Sequence, residues 1–180
     1  YRTLPYLMED ADFLKAVQRN PKLFTGFSDT TINHLMFYKL GLSTYYGPTF
    51  ICDLAEMSDE MLPYTRKFFE SYLEGSESRE ITSSEVWYET RTDFSRAAVG
   101  TERISHPETH GFELLQGNEC FEGRLLGGCL ESLYEILTAA RYEDEKVVCE
   151  KYGLFPDITE WKGKILFIET SEEKPAPDLY

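Results

Sequence analysis

Glu169 stands where a catalytic carboxylate is easiest to hold. It directly follows Ile165-Leu166-Phe167-Ile168, and Thr170-Ser171-Glu172-Glu173-Lys174-Pro175 comes after it. Four apolar residues of this kind predict a buried strand. The last side chain of a strand packed on both faces has a fixed position, which suits an acid that must orient a partner. On local sequence alone, a charged residue after a strand more commonly opens a solvated turn, and Glu172, Glu173 and Lys174 read as a solvated run. Ser28 is the other reactive candidate, in Gly26-Phe27-Ser28-Asp29-Thr30 on a strand-to-helix turn. A nucleophile elbow needs glycine where Thr30 stands, because backbone crowds that turn. Ser28 and Asp29 therefore read first as helix caps. His34 follows on the next helix and reads as packed or hydrogen-bonded against the turn. An internal triad of Ser28, His34 and an acid is the weaker alternative.

The elements that would position these groups follow α/β grammar. A helix is predicted over 9–19, stopped by Asn20-Pro21, and a strand over 22–27. A second helix over 31–40 has Ile32, Leu35, Met36 and Leu40 on one side, and a strand over 42–46 ends at Gly47-Pro48. Ser58-Asp59 is placed as the cap of a third helix running to Leu73. Residues 74–110 hold few aliphatics and read as a linker with an excursion loop, so a boundary is expected near residue 76. Trp87, Tyr88 and Phe94 are aromatic residues in this polar stretch; they could stack on a planar ligand or pin the loop. Strands are predicted over 112–115 and 122–126. Gly127-Gly128 then leads tightly into a helix over 129–140; these glycines could expose amides to an anionic ligand, and their simpler use is close strand–helix packing. A charged helical stretch over 143–153 and a strand over 161–169 follow.

Composition excludes several classes. The 180 residues carry a net charge of −14, with 42% hydrophobic and 14% aromatic residues. Phosphate polymers and anionic membranes would be repelled, and the basic residues are scattered, so neither nucleic acid nor membrane is expected as a partner. No apolar run approaches the roughly 20 residues of a membrane span. Cys52, Cys120, Cys129 and Cys149 lack CxxC spacing and read as reduced thiols. His34, His106 and His110 lack metal-site spacing, so no metal or other cofactor is expected. His106 and His110, beside Pro107, read as solvated loop residues. The chain has no initiating Met and begins in mid-pattern, which suggests a segment of a longer protein.

Four blocks together resemble the LD-carboxypeptidase family of serine peptidases. They are Tyr1-Arg2-Thr3-Leu4-Pro5-Tyr6, residues 20–34 with Phe37-Tyr38-Lys39-Leu40-Gly41-Leu42 and Tyr45-Tyr46-Gly47-Pro48, Leu126-Gly127-Gly128-Cys129-Leu130-Glu131, and residues 165–175. The last two point to its microcin-C immunity branch. The resemblance implies an α/β fold, with 1–75 as the later part of an N-terminal α/β sandwich built on a parallel sheet. Residues 76–110 would be the linker and aromatic loop, and 111–180 the first part of a C-terminal mixed domain. It implies a Ser-Glu-His triad in which Glu169 is the acid. The serine would lie one position before Tyr1 and the histidine after Tyr180.

The resemblance further implies substrate contacts from Arg2, Trp87, Phe94, Gly128 and Glu131. Trp87 resembles a residue that stacks on a nucleobase, whereas Phe94 stands where a second Trp is expected. Cys129 stands where murein-cleaving relatives commonly carry Asn, which fits the immunity branch. The implied protein is a cytoplasmic, homodimeric carboxypeptidase or amidase. It would act on a small peptide or peptide-nucleotide, at the LD bond of a murein tetrapeptide or the aminoacyl-nucleotide amide of a microcin-like antibiotic. The 180 residues alone are expected to be inactive. The rival is a non-catalytic binding module that keeps the cleft.

Overall fold

The computed structural model describes residues 1–75 and 78–171. The expected boundary at residue 76, the charged run at 172–174 and the chain end at 178–180 lie outside the described residues. The chain forms two compact units, one joining Tyr1–Gly47 to Glu122–Tyr180 and the other made of Pro48–Phe121. Residues after 122 pack back onto the first 47, which sets the breaks between these units at 47/48 and 121/122.

In the first unit the expected helix over 9–19 is two helices, α1 (Leu4–Glu9) and α2 (Ala11–Arg19). Pro5 lies in the first turn of α1, where its missing N–H costs nothing. Asp10 then caps α2 by accepting from the backbone N–H groups of Asp12 and Phe13, which divides the two. The strand expected over 22–27 shortens to β1 (Thr25–Gly26), paired in parallel with β2 (Tyr45–Tyr46). A 3₁₀ turn, Ser28–Thr30, leads into α3 (Thr31–Lys39).

In the second unit a π-helical turn (Phe50–Leu54) precedes α4 (Pro63–Leu73). The third helix thus starts at a proline rather than at Ser58-Asp59; the Ser58 hydroxyl instead donates to the carbonyl of Glu60. The region read as a linker holds an antiparallel pair, β3 (Val86–Tyr88) with β4 (Ser105–Pro107). Phe112–Leu115 is not a strand. Buried Phe68 and Ala98 are accompanied by an ionic cluster, in which Glu56 pairs with Arg91 at 3.0 Å and Arg103 at 2.6 Å.

Back in the first unit, β5 (Arg124–Cys129) runs into α5 (Leu130–Thr138), followed by α6 (Glu143–Tyr152), α7 (Ile158–Trp161) and β6 (Lys164–Glu169). Trp161 closes a helix and does not open the strand. Gly153, in the left-handed conformation, ends α6. β5 and β6 pair in parallel with Cys129 opposite Glu169. Leu4, Ile32, Leu35, Met36, Leu126, Leu133 and Leu154 form the core, each worth roughly 1.5–3 kcal/mol of burial.

Gly127 and Gly128 lie inside β5, not at a helix lead-in. A Cβ on Gly127 would sit 1.8 Å from the Phe167 carbonyl oxygen, and one on Gly128 would sit 2.5 Å from Thr31 Cγ2. The pair is therefore required by close packing of strand on strand and strand on helix. Gly127→Ala is expected to destabilise the first unit by about 3 kcal/mol or more through forced separation of β5 and β6. Urea unfolding followed by circular dichroism measures this.

Candidate active site

Both parallel pairs present their carboxyl ends near the start of α3, and the reactive candidates meet there. Glu169 is half-buried at the end of β6. Its Oε1 accepts from the Tyr46 hydroxyl at 2.7 Å and from the backbone N–H of Ser28 at 3.2 Å. The same N–H lies 2.9 Å from the Tyr46 oxygen, so it is shared between the two acceptors. The tyrosine ring is gripped by His34 and Phe167, with centroids at 5.1 and 5.0 Å. Burial, first, and the Glu169 carboxylate raise the Tyr46 pKa, so the phenol stays a donor. Among the described residues, Glu169 Oε2 has no hydrogen-bond partner.

Ser28 earns its place through its backbone. Its φ is +57°, a conformation that disfavours any side chain and brings its N–H round to the carboxylate. Its side chain gives α3 no cap: the N-cap is Thr30, whose hydroxyl donates to the Phe27 carbonyl. His34 is fully engaged. The Gly26 carbonyl can only accept, so Nε2 at 3.0 Å carries the proton, and Nδ1 at 2.7 Å accepts from the Thr44 hydroxyl. This is the hydrogen-bonded histidine expected from sequence, unsuited as a base for Ser28.

Glu131, at the head of α5, accepts from the Cys129 thiol at 3.2 Å and from the N–H and hydroxyl of Ser171. Burial opposes its charge, but these donors and its own N–H hold it below the usual carboxylate range. It ties the chain after β6 to α5. Cys129 is buried, and loss of hydration raises its thiol pKa. Arg2 lies against the rings of Tyr1 and Tyr142 and lines a cavity of about 550 Å³. Arg141 joins Asp29 and Glu135 in the same cavity, and burial pushes Glu145 up there. Trp87 and Phe94 belong to the second unit. Trp87 stacks on His106 at 4.3 Å as its cross-strand partner, and His106 contacts Glu89 at 2.8 Å. His106 is thus a strand residue, not a solvated loop residue. Phe94 is 73% exposed.

Sequence reasoning missed Tyr46 and Thr31 as members of this site. The available signal was a polar-tipped aromatic at the end of a parallel strand, directly before Gly47-Pro48. No group of three or more His, Cys, Asp or Glu side chains among the described residues could hold a metal ion.

The mixed α/β fold with parallel pairs is shared with solved MccF-like structures. Residues 1–47 match the model of the LD-carboxypeptidase N-terminal domain. The chain is 53% identical to an MccF-like protein from Streptococcus pneumoniae, solved in complex with AMP. That match has a TM-score of 0.90 and covers 99% of this chain and 51% of the other. The microcin C7 self-immunity protein MccF of Escherichia coli is 28% identical over 96% of this chain and 44% of its own length. A solved structure of a protein of that name, in complex with aspartyl sulfamoyl adenosine, matches at a TM-score of 0.60 and 26% identity, covering 89% of this chain and 43% of that one. A probable murein peptide carboxypeptidase of Bacillus subtilis is 28% identical over 88% of this chain and 36% of its own length. The chain thus spans about half the length of these relatives, or less.

Two outcomes follow from the local chemistry. Ser28→Gly keeps the N–H and relieves the backbone, so a gain of about 0.5–1 kcal/mol in thermal unfolding is expected. Burial holds the His34 pKa below its ordinary 6.5. The unfolded chain then binds more protons, so this contribution is full above about pH 6.5 and is lost as pH falls through the folded pKa. The stability advantage of the chain over His34→Gln is expected to shrink between about pH 7.5 and about pH 5.5 in urea titrations.

Proposed function

We propose that the protein carrying this chain is a serine-type carboxypeptidase or amidase in which Glu169 is the acid of a Ser-Glu-His triad. The observation that carries the reading is the posture of Glu169. One oxygen is fixed by Tyr46 and Ser28 at the end of a parallel strand, and the other lacks a partner among the described residues. A carboxylate so held can receive the N–H of an imidazole, set its tautomer and stabilise its cation. The serine is assigned to the position before Tyr1 and the histidine to sequence after Tyr180, so the 180 residues alone would be inactive.

In the proposed reaction the serine attacks the amide carbonyl as the histidine takes its proton. The histidine then returns the proton to the departing amine, and water releases the acyl group. The names of the relatives favour two substrates, an aminoacyl-nucleotide amide and the LD bond of a murein peptide. The 53% identity to an MccF-like protein solved with AMP supports the first. Trp87 and Phe94 would then offer rings to the base, and Arg2, Gly128 and Glu131 would line or shape the substrate side. The division into an N-terminal part to residue 75, a linker to 110 and a C-terminal part is proposed for the whole protein. So are a homodimeric state and a cytoplasmic location. Among the described residues, no helix is long and apolar enough to cross a membrane.

Glu169→Gln in the complete protein tests the triad. The amide keeps the shape but offers its NH₂ to the imidazole, so a fall in kcat of about 10³-fold or more is expected. Release of aspartate from aspartyl sulfamoyl adenosine and cleavage of an LD-linked tetrapeptide are the two assays. Unchanged turnover of both would remove Glu169 from the chemistry and leave the binding-module reading.

A further inference from the structure

We propose that Tyr46 is a positioning residue for Glu169, the terminal donor of a directed hydrogen-bond chain that starts at the Cys129 amide and fixes which carboxylate oxygen is free to meet the triad histidine. This rests on the reading of Glu169 as the triad acid. The direction of each link follows from what each group can do. The Cys129 N–H can only donate, and it points at Thr31 Oγ1 over 3.0 Å. An ionised carboxylate can only accept, so the Tyr46 hydroxyl spends its one proton on Glu169 Oε1, 2.7 Å away. The 3.3 Å contact between Thr31 Oγ1 and the Tyr46 oxygen must then run from threonine to tyrosine. The Tyr46 oxygen accepts a second time, from the Ser28 N–H at 2.9 Å. Every dipole in the chain therefore points the same way, at one oxygen of one side chain.

The packing makes this arrangement hard to alter. Thr31 is fully buried, and its hydroxyl fits because Gly128 has no side chain: a Cβ there would lie 2.7 Å from Thr31 Oγ1. Phe167 lies two residues before Glu169 on β6, so the strand that carries the acid also packs against the ring that orients it. With Oε1 held by two donors, rotation of the carboxylate about its last bond would break both, and Oε2 keeps a constant direction. Such supporting contacts matter to turnover because the acid works by orientation.

The test uses the complete protein with aspartyl sulfamoyl adenosine as substrate, comparing Tyr46→Phe, Glu169→Gln and the double variant. Tyr46→Phe is expected to lower kcat by about 10–100-fold while KM stays within about threefold, since substrate binding does not pass through the phenol. In the Glu169→Gln background the same change is expected to cost nothing further, because Tyr46 acts only through that carboxylate. Thr31→Val, one link removed, is expected to give a smaller loss in kcat of the same kind, and it stands in if Tyr46→Phe does not fold. Normal kcat in Tyr46→Phe, or losses that multiply in the double variant, would overturn the positioning role while leaving the triad intact. Full activity of Glu169→Gln would instead overturn the triad reading and the proposal with it.

Discussion

The parallel pairing of β5 with β6 is the constraint from which the site follows. Register places Cys129 beside Glu169, and the absence of a side chain at Gly127 and Gly128 lets Phe167 and Thr31 close on the strand from two sides. Thr31 begins α3, whose apolar face of Ile32, Leu35 and Met36 forms the centre of the core. One close backbone approach thus sets the distance between the acid-bearing strand and the helix that carries its support. A small change of spacing here would move the site without touching any of its polar groups.

The polar network then converts this packing into a defined chemical posture. Hydrogen bonds in a half-buried pocket are modest in net stability, but an unmade one is costly. Each group around Glu169 therefore has a single satisfactory arrangement: His34 holds the Gly26 carbonyl and the Thr44 hydroxyl, and Ser28 turns its amide inward at the expense of a strained φ. Strain of this kind persists only where its surroundings over-determine it, as is common around functional groups.

Local pattern made part of this legible. The apolar spacing of Ile32, Leu35 and Met36 gave α3, and Ile165–Ile168 gave the strand with Glu169 at its end. Leu166 and Ile168 are about half exposed, so that strand is not packed on both faces as its apolar run led one to expect. The α/β class followed from the alternation of these elements. What could not be read locally depends on partners far along the chain. Tyr46 meets Glu169 across 123 positions and Ser28 meets it across 141, with no periodicity to announce either contact. Val86–Tyr88 is polar-flanked and short, so only pairing with Ser105–Pro107 makes it a strand. The return of residues after 122 onto the first 47 likewise depends on contacts far apart in the sequence.

The second unit encloses an ionic cluster that is largely shielded from solvent. Glu56 is almost completely covered and faces Arg91 and Arg103. Burial opposes its ionisation, yet the two guanidinium groups and the Met57 N–H hold its pKa below the ordinary value. That contribution is present in neutral solution and drains away as acid protonates the carboxyl. In the first unit burial raises Glu135 and Glu145 instead, so for these two groups acid favours the folded form. The first unit is mixed in this respect, because Glu131 and His34 are held below their ordinary values and acid works against them.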